Sequence, residues 1–236
     1  YAGPTGPTSG GFAPLLGLKA ERVITIPDGI ETDDAALIEP ASVAFHAVRR
    51  SQLQVGDVVC VVGCGPIGLL TAQVAKAAGA AVVIAVEPDE SRRTLALATG
   101  SDIAVAPGDE LRGVLDDLTQ GLQADIAFDC AGIPQTMQQS VDMVRRGGSV
   151  CLVGVTGQQA QISPIRWISK EVTLNTSMVF TLEEMKATAN MIFDGRLSVA
   201  PLRGDVVDLD SLGTTIDDLA ERRIDAVKIL VDPTAG

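Results

Sequence analysis

Aromatic residues and histidine are scarce in this chain. Of its 236 residues only 3% are aromatic and one is histidine, whereas 46% are hydrophobic. The core must therefore be built mainly from Ala, Val, Leu and Ile. Continuous aliphatic runs of this kind are typical of a parallel sheet covered by helices on both faces.

Positive charge is also in short supply. The 18 Lys and Arg are outnumbered by 30 Asp and Glu, which gives a formal net charge of -12. Nucleic acids and anionic membranes both bind clusters of Lys and Arg, so neither is expected as a partner. No apolar run reaches the roughly 18 residues of a membrane-spanning helix. We expect a cytoplasmic protein.

The four cysteines lack the spacing of a metal site. Cys60, Cys64, Cys130 and Cys151 lie in or beside apolar runs, with no CxxC pair and no zinc-finger cluster among them. We expect them to be reduced, buried thiols, as is usual for a cytoplasmic protein.

Aliphatic runs alternate with helical patterns between residues 58 and 155. This alternation indicates βαβ units, and hence an α/β fold with a doubly wound parallel sheet. The predicted strands cover 58–62, 82–86, 103–105, 125–129 and 149–155, and the predicted helices cover 67–78, 90–98, 109–119 and 134–146. The flanks predict a loop over 1–12, strands at "RVITIP" (22–27), "KEVTLNTS" (170–177) and "AVKILV" (226–231), and helices over 42–51, 182–194 and 211–222.

A glycine-rich break interrupts the first of these βαβ units, in "VVCVVGCGPIGLL" (58–70). Gly63, Gly65 and Gly68 form G-x-G-x-x-G between a strand and a helix, the context of a dinucleotide-binding turn. The first glycine permits the tight turn, the second lets a pyrophosphate approach, and the third lets helix and strand pack closely. A helix N-terminus attracts phosphate without a lysine. A turn that binds another nucleotide or an S-adenosyl group is the alternative.

An acidic residue ends the next predicted strand. Glu87 follows Gly68 by 19 residues, where a carboxylate can accept hydrogen bonds from the adenosine ribose and repel a 2′-phosphate. This favours NAD over NADP. Arg92 and Arg93 keep NADP open, because a nearby Arg accommodates a 2′-phosphate.

These motifs together resemble the medium-chain dehydrogenase/reductase family. "EPASVAFHAVRRSQLQVGDVVCVVGCGPIGLLTAQVAKAAGA", "VEPDESRRTLA", "ADIAFDCAG" and "RRGGSVCLVGV" are similar to its zinc-dependent alcohol and polyol branch, which includes 2,3-butanediol and sorbitol dehydrogenases. The resemblance implies NAD-dependent interconversion of a secondary alcohol or diol and a ketone, with zinc as Lewis acid. It also implies a homodimer or homotetramer formed through the sheet edge.

The resemblance implies a division of the chain as well. Residues 46–195 would form the NAD-binding Rossmann domain. Residues 1–45 would be a remnant of a GroES-like, β-rich catalytic domain, and residues 196–236 a segment that returns to it.

Cofactor-binding roles carry over from the family by position. The implied residues are, for the pyrophosphate turn, Gly63, Gly65, Pro66, Ile67 and Gly68; for the adenosine end, Glu87 and Arg92; along the cofactor, Cys130 and Ala131; and for the nicotinamide end, Val153, Gly154, Val155, Ser177 and Met178.

Two further residues receive chemical roles from the resemblance. Glu39 matches a zinc-site position of the polyol branch, and the alternative is an acid that favours the start of a helix. His46, the single histidine, lies near the cofactor cleft in the family. A proton relay or a ribose contact would make it catalytic, and the alternative is simple packing beside its helix.

The family's remaining zinc ligands, a Cys and a His with a neighbouring Glu, have no counterpart in this sequence. The chain as given is therefore expected to be inactive, whether its first domain was removed, is disordered or is naturally absent. It is also expected to expose apolar surface and to self-associate. The parent is expected to be a zinc-dependent dehydrogenase; a truncated, non-catalytic NAD-binding module and a zinc-free reductase of the same superfamily are the alternatives.

Overall fold

The computed structural model describes residues 10–221, 223–224 and 226–235. The helices and strands, in chain order, are α1 (Thr32–Ala35), α2 (Ile38–Arg50), β1 (Val58–Val62), α3 (Pro66–Ala77), β2 (Val82–Val86), α4 (Glu90–Ala98), β3 (Ile103–Val105), α5 (Asp109–Thr119), β4 (Ala124–Asp129), α6 (Pro134–Met143), β5 (Val144–Leu152), α7 (Pro164–Lys170), β6 (Thr173–Thr176), α8 (Leu182–Phe193), β7 (Val206–Val207), α9 (Leu212–Ala220) and β8 (Leu230–Val231). Short 3-10 helices lie at Ala20–Arg22 and Ala200–Leu202.

The chain divides into two compact units. The larger is Leu37–Pro201, and the smaller combines the residues before it with those after it. The larger unit thus starts and ends outside the predicted borders at 46 and 195, because α2 packs on the sheet and Ser198, after α8, exchanges two hydrogen bonds with Gln73 of α3. That the flanking residues belong to a catalytic domain stays a prediction.

The larger unit is built on a six-stranded sheet in the order β3-β2-β1-β4-β5-β6. All of its pairings are parallel, and β1 lies between β2 and β4. The strand order therefore reverses at the boundary between β1 and β4. This is the doubly wound order with its topological switch point, which confirms the predicted fold class.

Both faces of this sheet are covered. Cys151 on β5 donates through its thiol to the Ala47 carbonyl of α2 at 3.8 Å, and α3 and α8 flank α2 on that face. The neighbouring residue Val150 faces the other way, into a cluster with Leu111 of α5 and Val141 of α6. Because both faces are buried, each central strand is a continuous aliphatic run rather than an alternating one.

The smaller unit holds little regular structure among its described residues. β7 and β8 pair in parallel, and Arg203 forms an ion pair with Asp34 at 3.3 Å. The predicted strand at residues 22–27 is wrong, because the described part of this unit is without a strand there and Val23 and Ile26 are exposed. A strand needs a hydrogen-bonded neighbour, and none lies beside this segment within the described residues.

Other predicted ends also shift. β5 begins at Val144, earlier than predicted, and ends at Leu152, so residues 153–155 lie in the turn after it. The helix predicted over 134–146 ends at Met143 for the same reason. The closing strand shortens to Leu230–Val231. Residues 1–9 of the predicted loop and residue 222 of the predicted helix lie outside the described residues.

Candidate functional site

The glycine turn joins β1 to α3 in the manner predicted. Gly63 has φ of +90°, and a Cβ there would stand 3.0 Å from the Ala131 backbone. A Cβ on Gly68 would overlap the Gly63 carbonyl oxygen. The first and third glycines are therefore required by backbone conformation and by close approach.

Gly65 differs from its two neighbours. It caps the N-terminus of α3, and a Cβ built on it would meet no atom within 4 Å. Pro66 occupies the first helical position, where its missing N–H costs nothing. The space over Gly65 is thus open at the positive end of a helix, which fits an anionic group such as a pyrophosphate.

Glu87 is fixed at the end of β2 by backbone amides. Its carboxylate accepts hydrogen bonds from the Cys64 amide at 2.8 Å and from the Asp89 amide at 3.2 Å, and the residue is only 7% exposed. Arg93 donates to the Glu87 carbonyl at 2.8 Å, so its guanidinium holds the turn, while Arg92 lies half-buried in the first turn of α4. The acidic acceptor and the glycine turn are therefore directly linked.

The turns after β4 and β5 pack against each other. The Asp129 carbonyl accepts hydrogen bonds from the amides of Val153 and Gly154 at 2.9 and 2.8 Å. A Cβ on Gly154 would overlap the Gly132 amide nitrogen, so the two backbones are in contact. Val155 is 82% exposed beyond this contact. Val153 and Gly154 thus lie at the carboxyl edge of the sheet, directly after β5.

The carboxylate of Asp129 organises the first of these turns. It accepts from the amides of Ala131 and Gly132 at 3.1 and 3.3 Å and from the Thr136 hydroxyl at 2.8 Å. Burial raises its pKa, against the lowering effect of these donors. The exposed Ala131 is held in place by this cluster. Sequence reasoning missed Asp129, although its position as the last residue of "ADIAFD" was a usable signal.

The cysteines near the turn are protonated thiols. Burial raises the pKa of the Cys64 thiol to about 12, and the neighbouring Glu87 carboxylate adds to the effect. Burial also raises the pKa of Cys130, whose thiol donates to the Thr71 hydroxyl at 3.7 Å. All four cysteines are free, as predicted, and all are buried except Cys130, which is half-buried. They act here as small packing groups rather than as nucleophiles.

His46 is bound to a carboxylate that sequence reasoning did not identify. Its Nδ1 lies 2.9 and 3.0 Å from the two oxygens of Glu184 on α8, and the carboxylate is 7% exposed. Burial alone would raise the pKa of Glu184, but the Thr181 amide and the His46 ring outweigh it and lower the pKa. His46 therefore joins α2 to α8. The sequence signal for Glu184 was the capping box in "TLEE" (181–184).

The segment after β6 reaches the same edge of the sheet. The Ser177 amide donates to the Leu152 carbonyl at 3.0 Å, and the residue is 8% exposed. Met178 follows at 73% exposed, and Val179 has φ of +65°. Of the two predicted nicotinamide-end residues here, Met178 offers its side chain to solvent and Ser177 does not.

The described residues hold no ready metal site. No group of three or more His, Cys, Asp or Glu within them is arranged to bind a metal ion. Glu39 lies exposed in the first turn of α2. Because a catalytic zinc needs about three protein ligands, these residues do not by themselves fit zinc. No described helix is both long and apolar enough to span a membrane.

The fold and the glycine turn define a Rossmann-type α/β unit. Residues 66–194, more than half of the chain, match the family model described as zinc-binding dehydrogenase, and the chain belongs to that family. The membership predicted from the sequence motifs is thereby confirmed.

Named relatives agree with this assignment. The chain is 32% identical to (R,R)-butanediol dehydrogenase of Bacillus subtilis over 95% of its own length and 64% of the relative's. It is 35% identical to the sorbitol dehydrogenase of the same organism, over 65% of this chain and 44% of that enzyme. The chain thus spans less than two thirds of the length of each of these relatives.

Solved structures show the same fold. The B. subtilis 2R,3R-butanediol dehydrogenase superimposes with a TM-score of 0.80 at 32% identity, over 89% of this chain and 60% of that one. A protein of Sinorhizobium meliloti 1021, described as a zinc-binding dehydrogenase and bound to NADP, superimposes with a TM-score of 0.80 at 28% identity. The match covers 88% of this chain and 61% of that one.

Proposed function

We propose that this chain is the NAD(H)-binding part of a dehydrogenase that interconverts a small secondary alcohol or diol and its ketone. The observation that carries the proposal is the direct link between the open glycine turn and Glu87, whose carboxylate accepts the Cys64 amide at 2.8 Å. The glycine turn would hold the pyrophosphate, and Glu87 would hold the adenosine ribose. The hydrogen bond between Glu87 and the turn fixes the spacing of these two sites.

The binding mode follows from the strand order. The pyrophosphate would lie over Gly65 and the N-terminus of α3, with the adenosine ribose on Glu87 above β2. The second nucleotide half would extend over β4, β5 and β6, past Ala131 and Val153. The bound nicotinamide supplies hydride transfer, and the chain's own residues position it and exclude water from that edge.

The proposed preference is for NAD(H) over NADP(H). A carboxylate in the place of Glu87 accepts ribose hydroxyls and repels a 2′-phosphate. Arg93 is already occupied by main-chain carbonyls, including that of Glu87 at 2.8 Å. If the preference is wrong, Arg92 is the residue through which NADP would bind. The structure of an NADP-bound relative makes NADP the alternative cofactor to test.

The substrate class is proposed from the relatives, whose names include butanediol and sorbitol dehydrogenases. Zinc catalysis would need ligands beyond the described residues, and Glu39 is the ligand proposed among those described. His46, whose Nδ1 contacts Glu184, is the proposed proton relay or ribose contact.

Self-association through β6 is a further part of the proposal. β6 is the outer strand of the sheet, and Leu174 on it is 41% exposed. An unpaired strand edge of this kind is a template for pairing with a second copy. Sedimentation of the unmodified chain should show a dimer or larger species, and Leu174→Pro should shift it toward monomer.

The proposed location of the protein is the reducing cytoplasm, which the four free thiols fit.

The direct test of the proposed activity uses the whole protein that carries this chain. It should oxidise 2,3-butanediol or a polyol with NAD⁺, contain zinc, and lose both activity and zinc in Glu39→Ala. Turnover that needs NADP⁺ would refute the cofactor preference. Turnover without zinc would refute the metal assignment and revive the zinc-free reductase.

A further inference from the structure

A strained residue lies where the chain leaves β6. Val179 has φ of +65°, in the left-handed region. A β-branched side chain in this region is a true conformational outlier, and such outliers persist only where surrounding contacts hold them. The contacts that hold Val179 therefore control the path of residues 177–181.

The anchor of this segment is Glu184. Its carboxylate accepts the Thr181 amide at 2.8 Å, and the Glu184 amide in turn donates to the Thr181 hydroxyl at 3.2 Å. This reciprocal capping box joins the end of the strained segment to the first turn of α8. At the other end, the Ser177 amide is held by the Leu152 carbonyl at 3.0 Å.

His46 ties that anchor to a second helix. The same Glu184 carboxylate lies 2.9 Å from His46 Nδ1, so the capping box is bound to the middle of α2. Arg49 also lies near Glu184, but its guanidinium is 3.8 Å away and its side chain is 62% exposed. Only the His46 contact is short and shielded enough to be strong.

The anchored segment lies at one end of the proposed cofactor site. Glu87, at the end of β2, marks the adenosine half, so the second nucleotide half lies on the other side of the switch point, over β4 to β6. Residues 177–181 follow β6 directly, and Met178 is exposed there.

We propose that Glu184 is a positioning residue for the nicotinamide half of the site: together with His46 it holds the strained Met178–Val179 turn in the shape that contacts the cofactor. This inference rests on the proposed function for the identity of the ligand. The mechanical part, that His46 restrains the turn, does not depend on any ligand.

The mechanical part is tested by hydrogen exchange on the full chain without ligand. His46→Leu removes the link to α2 and leaves the capping box intact, while His46→Asn keeps a donor near the position of Nδ1. We expect faster exchange at residues 178–181 in His46→Leu and near-normal exchange in His46→Asn. Arg49→Gln is the matched control, on the same helix and near the same carboxylate, and should leave exchange unchanged.

The positioning part is tested by comparing two ligands. ADP-ribose contains everything in NADH except the nicotinamide. In His46→Leu and in Glu184→Ala we expect NADH affinity to fall roughly three- to tenfold. This is part of the free energy of a hydrogen bond to a charged group, because only a part of it is coupled to binding. ADP-ribose affinity should stay within about twofold of the unmodified chain in both variants.

Each outcome has a distinct meaning. Unchanged exchange at 178–181 in His46→Leu overturns the inference, even if Glu184→Ala fails to fold. Equal weakening of NADH and ADP-ribose also overturns it, because His46 would then contact the shared part of the ligand. If the unmodified chain binds neither ligand, the proposed function fails, and the exchange result alone decides whether His46 restrains the turn.

Discussion

Replacing Glu87 by Gln separates its two roles, since the substitution keeps the size of the side chain and removes its charge. In the unmodified chain the Glu87 carboxylate accepts hydrogen bonds from two backbone amides, those of Cys64 at 2.8 Å and Asp89 at 3.2 Å. The remaining oxygen of Gln can keep the shorter contact, and the longer one is lost. We therefore expect a cost in folding as well as in binding.

The magnitudes follow from the contacts. Losing one amide hydrogen bond to the buried carboxylate costs about 1.5–3 kcal/mol, which lowers Tm by several degrees. The ribose hydroxyls lose a charged acceptor, for which about 1.5 kcal/mol is a conservative figure, equal to roughly tenfold in NADH affinity. NADPH gains from the lost repulsion, so the NADH:NADPH affinity ratio should fall by more than tenfold.

The assay is calorimetric titration of both cofactors into Glu87→Gln, with Glu90→Gln as the matched control. Glu90 lies three residues further on, exposed in the first turn of α4, so the change of net charge is the same. An unchanged affinity ratio in Glu87→Gln, or an equal change in Glu90→Gln, would refute the reasoning. The charge reversal Glu87→Arg should carry the preference further toward NADPH.

The remaining predictions concern stability and reactivity. Gly68→Ala should lower Tm by several degrees, because its Cβ would overlap the Gly63 carbonyl oxygen, whereas Gly113→Ala, which meets no atom within 4 Å in α5, should raise Tm slightly. The four thiols should be unreactive toward a disulfide reagent at pH 8 until the protein is unfolded, since burial raises their pKa values; rapid labelling of the native chain would contradict this. The pKa of Glu184 is lowered in the folded chain, so its ionised carboxylate adds stability above the ordinary pKa of Glu and loses it as the pH falls. The Tm gap between the unmodified chain and Glu184→Gln should therefore close as the pH falls below about 4.5; a gap independent of pH would contradict this prediction.

The sequence predicted the larger unit well because its signals are local. Each central strand is a short aliphatic run, and the glycine turn is marked by the spacing of its three glycines. Gly63 and Gly68 are required by a positive φ and by close approach, both of which the spacing of the motif encodes. The strand at 22–27 failed because strand formation depends on a partner, which local pattern does not report.

The side-chain pairs of the site were harder to predict. His46 and Glu184 are separated by 138 positions, and nothing in either local pattern indicates that they meet. The sequence around Glu184 indicates a capping box, and the sequence around His46 indicates an amphipathic helix. Only the packing of α2 against α8 brings them together, so the contact depends on tertiary structure.

Titration of NADH and of NADPH into the unmodified chain tests the central claim most directly. The account predicts one site per chain, with NADH at least tenfold tighter, because Glu87 is already fixed at the end of β2 by the Cys64 amide. Equal affinity for the two cofactors would contradict the role of Glu87. Absence of binding to both would contradict the assignment of the glycine turn itself.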